Sequence, residues 1–136
     1  MILVDTGPLV ALSEPRDALN ARALAELDRM RSQTLLTCLP VLSEACFHLP
    51  AQSQRLRLRR WMMELSIAPP NAGDEVLLWR QVFEWMEKYA DQEPDFADAW
   101  LVVLCETDKR FKVWTFDREF SAVWRRPDGS RIPMAV

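Results

Sequence analysis

The sequence predicts an α/β fold, a three-layer α/β/α sandwich around a central parallel sheet, and three observations carry that expectation. Short apolar runs rich in β-branched residues recur along the chain. Between them lie stretches whose apolar residues repeat at i, i+3, i+4 and i+7. The first run, Ile2-Leu3-Val4, stops abruptly at Asp5-Thr6-Gly7-Pro8, the pattern of a buried parallel strand feeding a turn. Strands that alternate with helices pair in parallel and are covered on both faces. With 136 residues, 49% of them hydrophobic, the chain suits one domain spanning 1–136 and is too short for two ordinary ones.

The elements follow in order. Pro8 suits the first position of a helix. After a polar break at Ser13-Glu14-Pro15-Arg16, the residues Leu19, Ala23, Leu24, Leu27 and Met30 mark a second helix, and Thr34-Leu35-Leu36-Thr37 a second strand. Pro40 opens a helix with Leu42, Ala45, Cys46 and Leu49 on one face; Leu58, Trp61, Met62 and Leu65 define the next. Ser66-Ile67-Ala68 reads as a third short strand that ends at the Pro69–Gly73 break. Asp74 is placed to cap a long helix through about Tyr89, with Val76, Trp79, Val82, Phe83 and Met86 as its apolar contacts. Asp95 begins a helix through Cys105, Lys112 to Phe116 is the strand after it, and Arg131 to Val136 adds an edge strand.

Composition excludes several classes. No apolar run approaches the ~18 residues of a membrane helix, and the N-terminus has neither the basic segment nor the cleavage site of a signal peptide. Cys38, Cys46 and Cys105 are odd in number and lack CxxC spacing, which argues against a disulfide framework and a zinc site and for free thiols in the cytoplasm. Gly7, Gly73 and Gly129 make no phosphate-cradling motif. A net charge of −3 weighs against a nucleic-acid partner, unless the acids are gathered at a cation site that reverses the local field.

Ligand sites in such sheets lie beyond the carboxyl ends of the strands. Asp5 and Asp117 fall there, each ending a strand, although an acid in that position also serves as a helix cap. Asp95 and Asp98 sit three residues apart at a helix start, so both project on one face; a cap followed by a first-turn acid has the same pattern. Glu44, off the apolar stripe of its helix, reads from spacing alone as a solvated residue.

The acids also fall in a particular order with particular neighbours. The run Ile2-Leu3-Val4-Asp5-Thr6-Gly7-Pro8-Leu9-Val10-Ala11-Leu12, then Val41-Leu42-Ser43-Glu44-Ala45, then Asp95-Phe96-Ala97-Asp98-Ala99-Trp100-Leu101, then Trp114-Thr115-Phe116-Asp117-Arg118-Glu119-Phe120 resembles a PIN domain from end to end, and in particular the VapC toxins of bacterial toxin–antitoxin pairs. The resemblance implies a metal-dependent ribonuclease in which Asp5, Glu44, Asp98 and Asp117 bind the metal, Asp95 is a further acid, and Thr6 and Thr115 are supporting hydroxyls. One departure is Asn20, where relatives often carry a histidine.

Carboxylates are hard ligands suited to Mg²⁺ or Mn²⁺, which accept phosphate oxygens as further ligands. Such an ion activates water for in-line attack on RNA, and the resemblance implies 5′-phosphate and 3′-hydroxyl products. No histidine is required, which fits a chain whose single one, His48, reads as packing or surface. Arg57, Arg59 and Arg60 lie away from their helix's apolar face, and Arg125, Arg126 and Arg131 gather near the C-terminus; either set suits phosphates or simple solvation. Trp79, Trp85 and Trp100 fit packing or interface faces better than base stacking. The resemblance further implies an RNA substrate such as tRNA, an antitoxin partner and a homodimer. Two alternatives stand beside this: a catalytically silent module that binds RNA or protein, and a phosphotransfer domain with Asp5 as nucleophile. For the latter, Gly7 occupies the position where a second Asp is expected.

Overall fold

The computed structural model describes residues 1–136. At its centre lies a parallel sheet of order β2-β1-β3, formed by β1 (Ile2–Val4), β2 (Leu35–Leu36) and β3 (Lys112–Trp114). Ile2 and Leu3 pair with Leu35 and Leu36 on one side, and Ile2 to Val4 pair with Lys112 to Trp114 on the other. A strand flanked on both edges and covered on both faces must be apolar at every position, and β1 is no more than 2% exposed anywhere. The chain leaves β1 toward β2 and later returns to its opposite edge as β3. That reversal makes the carboxyl end of β1 a topological switch point, where a crevice opens.

Seven helices surround the sheet: α1 (Thr6–Ser13), α2 (Asn20–Arg29), α3 (Leu39–His48), α4 (Gln52–Glu64), α5 (Glu75–Lys88), α6 (Phe96–Thr107) and α7 (Glu119–Ala122). Helix α1 packs on α2, α3 and α4, while α5 packs on α6. Helix α6 is apolar nearly all round, and Leu101 to Cys105 have no solvent exposure. Pro8 is the third residue of α1, not its first, because the helix already begins at Thr6. Asp74 caps α5 as expected, its carboxylate accepting from the Leu77 N–H at 3.0 Å.

Several expectations need correction. Ser66-Ile67-Ala68 is no strand but a single parallel bridge between Ala68 and Leu36. Ser66 has φ of 50°, a left-handed turn that an extended chain cannot contain, and Pro69 and Pro70 offer no N–H to continue a ladder. The C-terminal edge strand likewise reduces to a parallel bridge from Met134 to Val113, held by Val113 N–H to the Pro133 carbonyl and Ala135 N–H to the Val113 carbonyl, each 2.8 Å. Pro133 limits it in the same way. Strand β3 stops at Trp114, so Thr115, Phe116 and Asp117 form a loop into the crevice.

Helix α5 buries Leu78, Val82 and Trp85, whereas Val76, Trp79 and Phe83 are 52%, 47% and 61% exposed. Of the expected contacts, Val82 is buried and Met86 half-buried, and only Val76, Trp79 and Phe83 face solvent. Helix α3 is rotated by about one residue from expectation: Val41, Ala45 and Leu49 are buried, and Leu42 and Cys46 only half so. On α2, Ala23, Leu27 and Met30 are buried as expected, but Leu24 is exposed and Glu26 is buried. All three cysteines are free thiols, and burial pushes Cys38 and Cys105 up to about 12. No helix is long and apolar enough to cross a membrane.

Candidate active site

Asp5 is the first residue beyond β1 and the N-cap of α1, so it meets both requirements of a residue in that position: its carboxylate accepts from the Thr6 N–H at 2.7 Å. The second oxygen of Asp5 accepts from the Thr115 hydroxyl at 2.6 Å. Thr115 in turn accepts from the Asp117 N–H at 2.9 Å, so one hydroxyl ties the end of β1 to the loop after β3. On the other side, the Thr6 hydroxyl donates to Glu44 at 3.2 Å. The rotation of α3 that buries Val41 and Ala45 is what turns Glu44 into the crevice. Both threonines expected to support the acids therefore bridge pairs of elements.

Asp95 is the N-cap of α6 and accepts from the Asp98 N–H at 2.9 Å. Its capping role is real, and it also faces the crevice. Asp98, one turn into α6, is 8% exposed. Its carboxylate receives no hydrogen bond from the protein, unlike those of Asp5, Glu44 and Asp95. Asp5, Glu44, Asp95, Asp98 and Asp117 all line one open cleft of about 300 Å³, together with Thr6 and Thr115. An apolar cavity of about the same volume, between Cys38, Pro70, Leu78 and Trp100, lacks any comparable convergence of charged groups.

The charges are mutually unfavourable. Burial pushes the Asp98 carboxyl up to about 8, and the neighbouring Asp95, Asp5, Asp117 and Glu44 raise it further. Asp5 is pushed up to about 6, chiefly by burial, with Glu44 and Asp95 adding to the rise against the lowering hydrogen bonds from Thr115 and Thr6. The cluster thus binds protons in place of a cation. A divalent ion fits it: the donors are all oxygen, and the Asp98 carboxylate is buried without a protein donor.

Around this cleft the sequence had signalled less. Glu119, the first residue of α7, was not singled out, yet an oxygen of its carboxylate lies within 4.8 Å of oxygens from both Asp98 and Asp117. Two residues after Asp117, at a helix start, it has the pattern of any dipole-stabilising acid. Arg22 was also missed. Its guanidinium lies 4.7 Å from the centre of the Phe116 ring, and its Nε donates to buried Glu26 at 2.7 Å. Glu26 also accepts from the Trp114 indole at 2.6 Å, so α2 grips the loop that carries Asp117. The ring of Phe116 packs so closely on Gly7 that a Cβ there would meet it at 3.4 Å.

The arginines considered for phosphate contact are elsewhere. Arg57 donates to the Ser13 carbonyl at 2.8 Å and lines a separate hollow with Arg60; Arg59 is exposed on the same helix, α4. Arg125 and Arg126 donate to the carbonyls of Trp124 and Cys105, which makes them braces for the C-terminal turn. Asn20 donates to the Ala11 carbonyl at 2.7 Å and fixes α1 to α2. His48 stands at the cleft wall, its Nε2 3.7 Å from Glu44.

No curated protein matches the sequence significantly. Among solved structures, the fold is similar to that of the Mycobacterium tuberculosis toxin VapC20, described as cleaving the sarcin–ricin loop, with a TM-score of 0.72 and 24% identity over 90% of this chain and 94% of the toxin. The family model described as PIN domain matches residues 2–125, a span that holds every acid of the cleft. The chain belongs to the PIN-domain family.

Proposed function

We propose that the chain is a metal-dependent endoribonuclease that hydrolyses RNA phosphodiester bonds and acts as the toxin of a type II toxin–antitoxin pair. The observation that carries this reading is the buried carboxylate of Asp98, without a protein donor and surrounded by Asp5, Asp95, Asp117 and Glu44. Such a group is stable as an anion only beside a cation. Asp5, Glu44, Asp98 and Asp117 would hold Mg²⁺ or Mn²⁺, with Asp95 nearby. Held there, a divalent ion would supply the positive charge needed at the scissile phosphate, at the attacking water and at the leaving 3′-oxygen.

The chain's own residues supply position. Thr115 and the Thr6 N–H fix the plane of the Asp5 carboxylate, since each of its oxygens holds one donor. Thr6 orients Glu44 across the cleft, and Asp95 holds the first turn of α6 so that Asp98 stays aimed inward. Ligands preset in this way need no reorganisation when substrate arrives.

For partners, the fold match supports testing a sarcin–ricin hairpin beside tRNAs as the RNA substrate. A groove of about 540 Å³ continues from the cleft past Glu44, His48, Phe47 and Phe96, and it suits an antitoxin segment that ends in a basic side chain over the acids. Exposed Trp79 and Phe83 on α5 suit a homodimer face. The cytoplasm is the compartment that such an activity requires.

The deciding experiment is cleavage of these RNAs with Mg²⁺ or Mn²⁺, with and without chelator, by the parent chain and by Asp5→Asn and Asp98→Asn. The expected result is metal-dependent cutting to 5′-phosphate ends, lost in both variants at unchanged fold. A cyclic 2′,3′-phosphate product would refute the mechanism, and equal cutting by parent and variants would refute the site. RNA binding with no cleavage under any condition would leave an interaction module.

A further inference from the structure

The cleft gathers acids with nothing basic among them. Asp5, Asp17, Glu44, Asp95, Asp98 and Asp117 line it, and neither a lysine nor an arginine does. A metal ion would answer the charge of the reacting phosphate. An RNA strand carries further phosphates on either side, and each meets the same negative field unless a cation stands at the rim.

Two arginines stand beside the loop of Asp117. Arg118 follows Asp117 directly and is exposed, so a contact from it has to be ordered on binding. Arg22 is held beforehand. It comes three residues after Leu19, which lines the cleft, and so lies on the same side of α2. Its Nε donates to Glu26 at 2.7 Å, and its guanidinium lies 4.7 Å from the centre of the Phe116 ring, which packs on Gly7 at the cleft wall. Glu26 is 8% exposed, and its other oxygen accepts from the Trp114 indole.

A brace for that buried acid is the competing account. A guanidinium serving only to neutralise a buried carboxylate does so best through two parallel bonds. Here one nitrogen is used, Nη1 and Nη2 have no acceptor in the protein, and the side chain is 55% exposed. Those two nitrogens are the edge that matches two phosphate oxygens.

We propose that Arg22 is a clamp for the RNA backbone, gripping a phosphate that flanks the scissile one through Nη1 and Nη2 while Glu26 and Phe116 fix its guanidinium. The inference rests on the ribonuclease reading above and adds to it a substrate contact outside the acid cluster.

The test follows the fluorescence anisotropy of a fluorescein-labelled single-stranded oligouridylate with the full chain in Ca²⁺ over a series of salt concentrations. Mn²⁺ affinity is measured separately, without RNA, by electron paramagnetic resonance. Arg22→Gln removes the charge. Arg22→Lys keeps a cation beside Glu26 and guards against loss of the fold. Arg31→Gln, beyond the other end of α2 and paired in the same way with Asp28 at 2.6 Å, controls for the loss of one positive charge. The expected result for Arg22→Gln is a salt slope shallower by about 0.7 and RNA binding weaker by about fivefold or more at low salt, with Mn²⁺ affinity within about twofold of the parent. Arg22→Lys and Arg31→Gln should keep the parent's slope. An unchanged slope in Arg22→Gln, an equal fall in Arg31→Gln, or a loss of Mn²⁺ affinity that accounts for the weaker RNA binding overturns the clamp and leaves Arg22 a brace. A parent chain that binds no RNA at any salt concentration overturns the ribonuclease reading and the clamp with it, which keeps the two failures distinct.

Discussion

Replacing Asp98 by Asn should stabilise the metal-free protein while destroying its ability to hold metal. Asp98 is pushed up from 3.8 to about 8, first by burial and then by Asp95, Asp5, Asp117 and Glu44. A carboxyl raised on folding favours the folded state fully below its unfolded value, and that advantage is lost as pH rises toward the folded value. At 1.36 kcal/mol per unit, the ceiling on what Asp98 costs at pH 7.5 is about 5 kcal/mol, and water in the open cleft reduces it to about 2 kcal/mol. For a chain of this length that is a rise of about 8 °C in Tm for Asp98→Asn in chelator. At pH 4.5 the carboxyl is neutral in the folded state and ionised to about four fifths in the unfolded one, so most of the linkage is already gone and the gap should fall about fivefold. Adding Mg²⁺ or Mn²⁺ at about 100 times Kd should lift the parent by about 2.7 kcal/mol and the variant far less. Melting followed by circular dichroism at both pH values checks all of this. A variant that melts at or below the parent at pH 7.5, or a gap that does not change with pH, would refute the reasoning.

Other perturbations probe the surroundings. Metal binding below pH 8 should release protons, seen as a buffer-dependent heat in calorimetry, because Asp98 and Asp5 are held partly protonated without it. Thr115→Val should lower cleavage by about tenfold or more by freeing both Asp5 and the loop of Asp117, with a loss of about 1–2 kcal/mol in denaturant melts. Glu26→Ala orphans the Trp114 indole and releases Arg22, and a loss of about 2–3 kcal/mol is expected by urea unfolding. Gly7→Ala should fold normally, since the added methyl only touches Phe116, whereas Gly7→Leu should displace that ring and depress metal affinity.

How far the sequence foretold this depended on the kind of signal each residue carried. Asp5 was legible as a candidate because it falls where β1 ends and a helix begins, a place that suits a cap equally well, and it proves to be both cap and cleft residue. Asp117 was legible too, although it sits in a loop two residues past Thr115 and not at a strand end. Spacing placed Glu44 on a solvated face, since the apolar positions of α3 allow two stripes one residue apart; only the resemblance to known ribonucleases raised it. On α5 the same ambiguity ran the other way. Val76, Trp79, Phe83 and Leu78, Val82, Trp85 both obey helical spacing, and only the position of α6 decides between them. Glu119 had no pattern to distinguish it, because its neighbours in space come from α6.

The uneven sheet carries a consequence for how the molecule opens. Its two outer positions, Ala68 and Met134, are single bridges, whereas β1 is paired along its length on both sides. Amide exchange should therefore be fast at Thr37 and Ala135 and slowest at Leu3, Val4 and Trp114. Breathing at the rims then leaves the first and last acids of the cleft, Asp5 and Asp117, joined through Thr115 on the part of the chain that lets go last. Partial unfolding by heat or protease should trim the C-terminal edge well before it scatters the carboxylates.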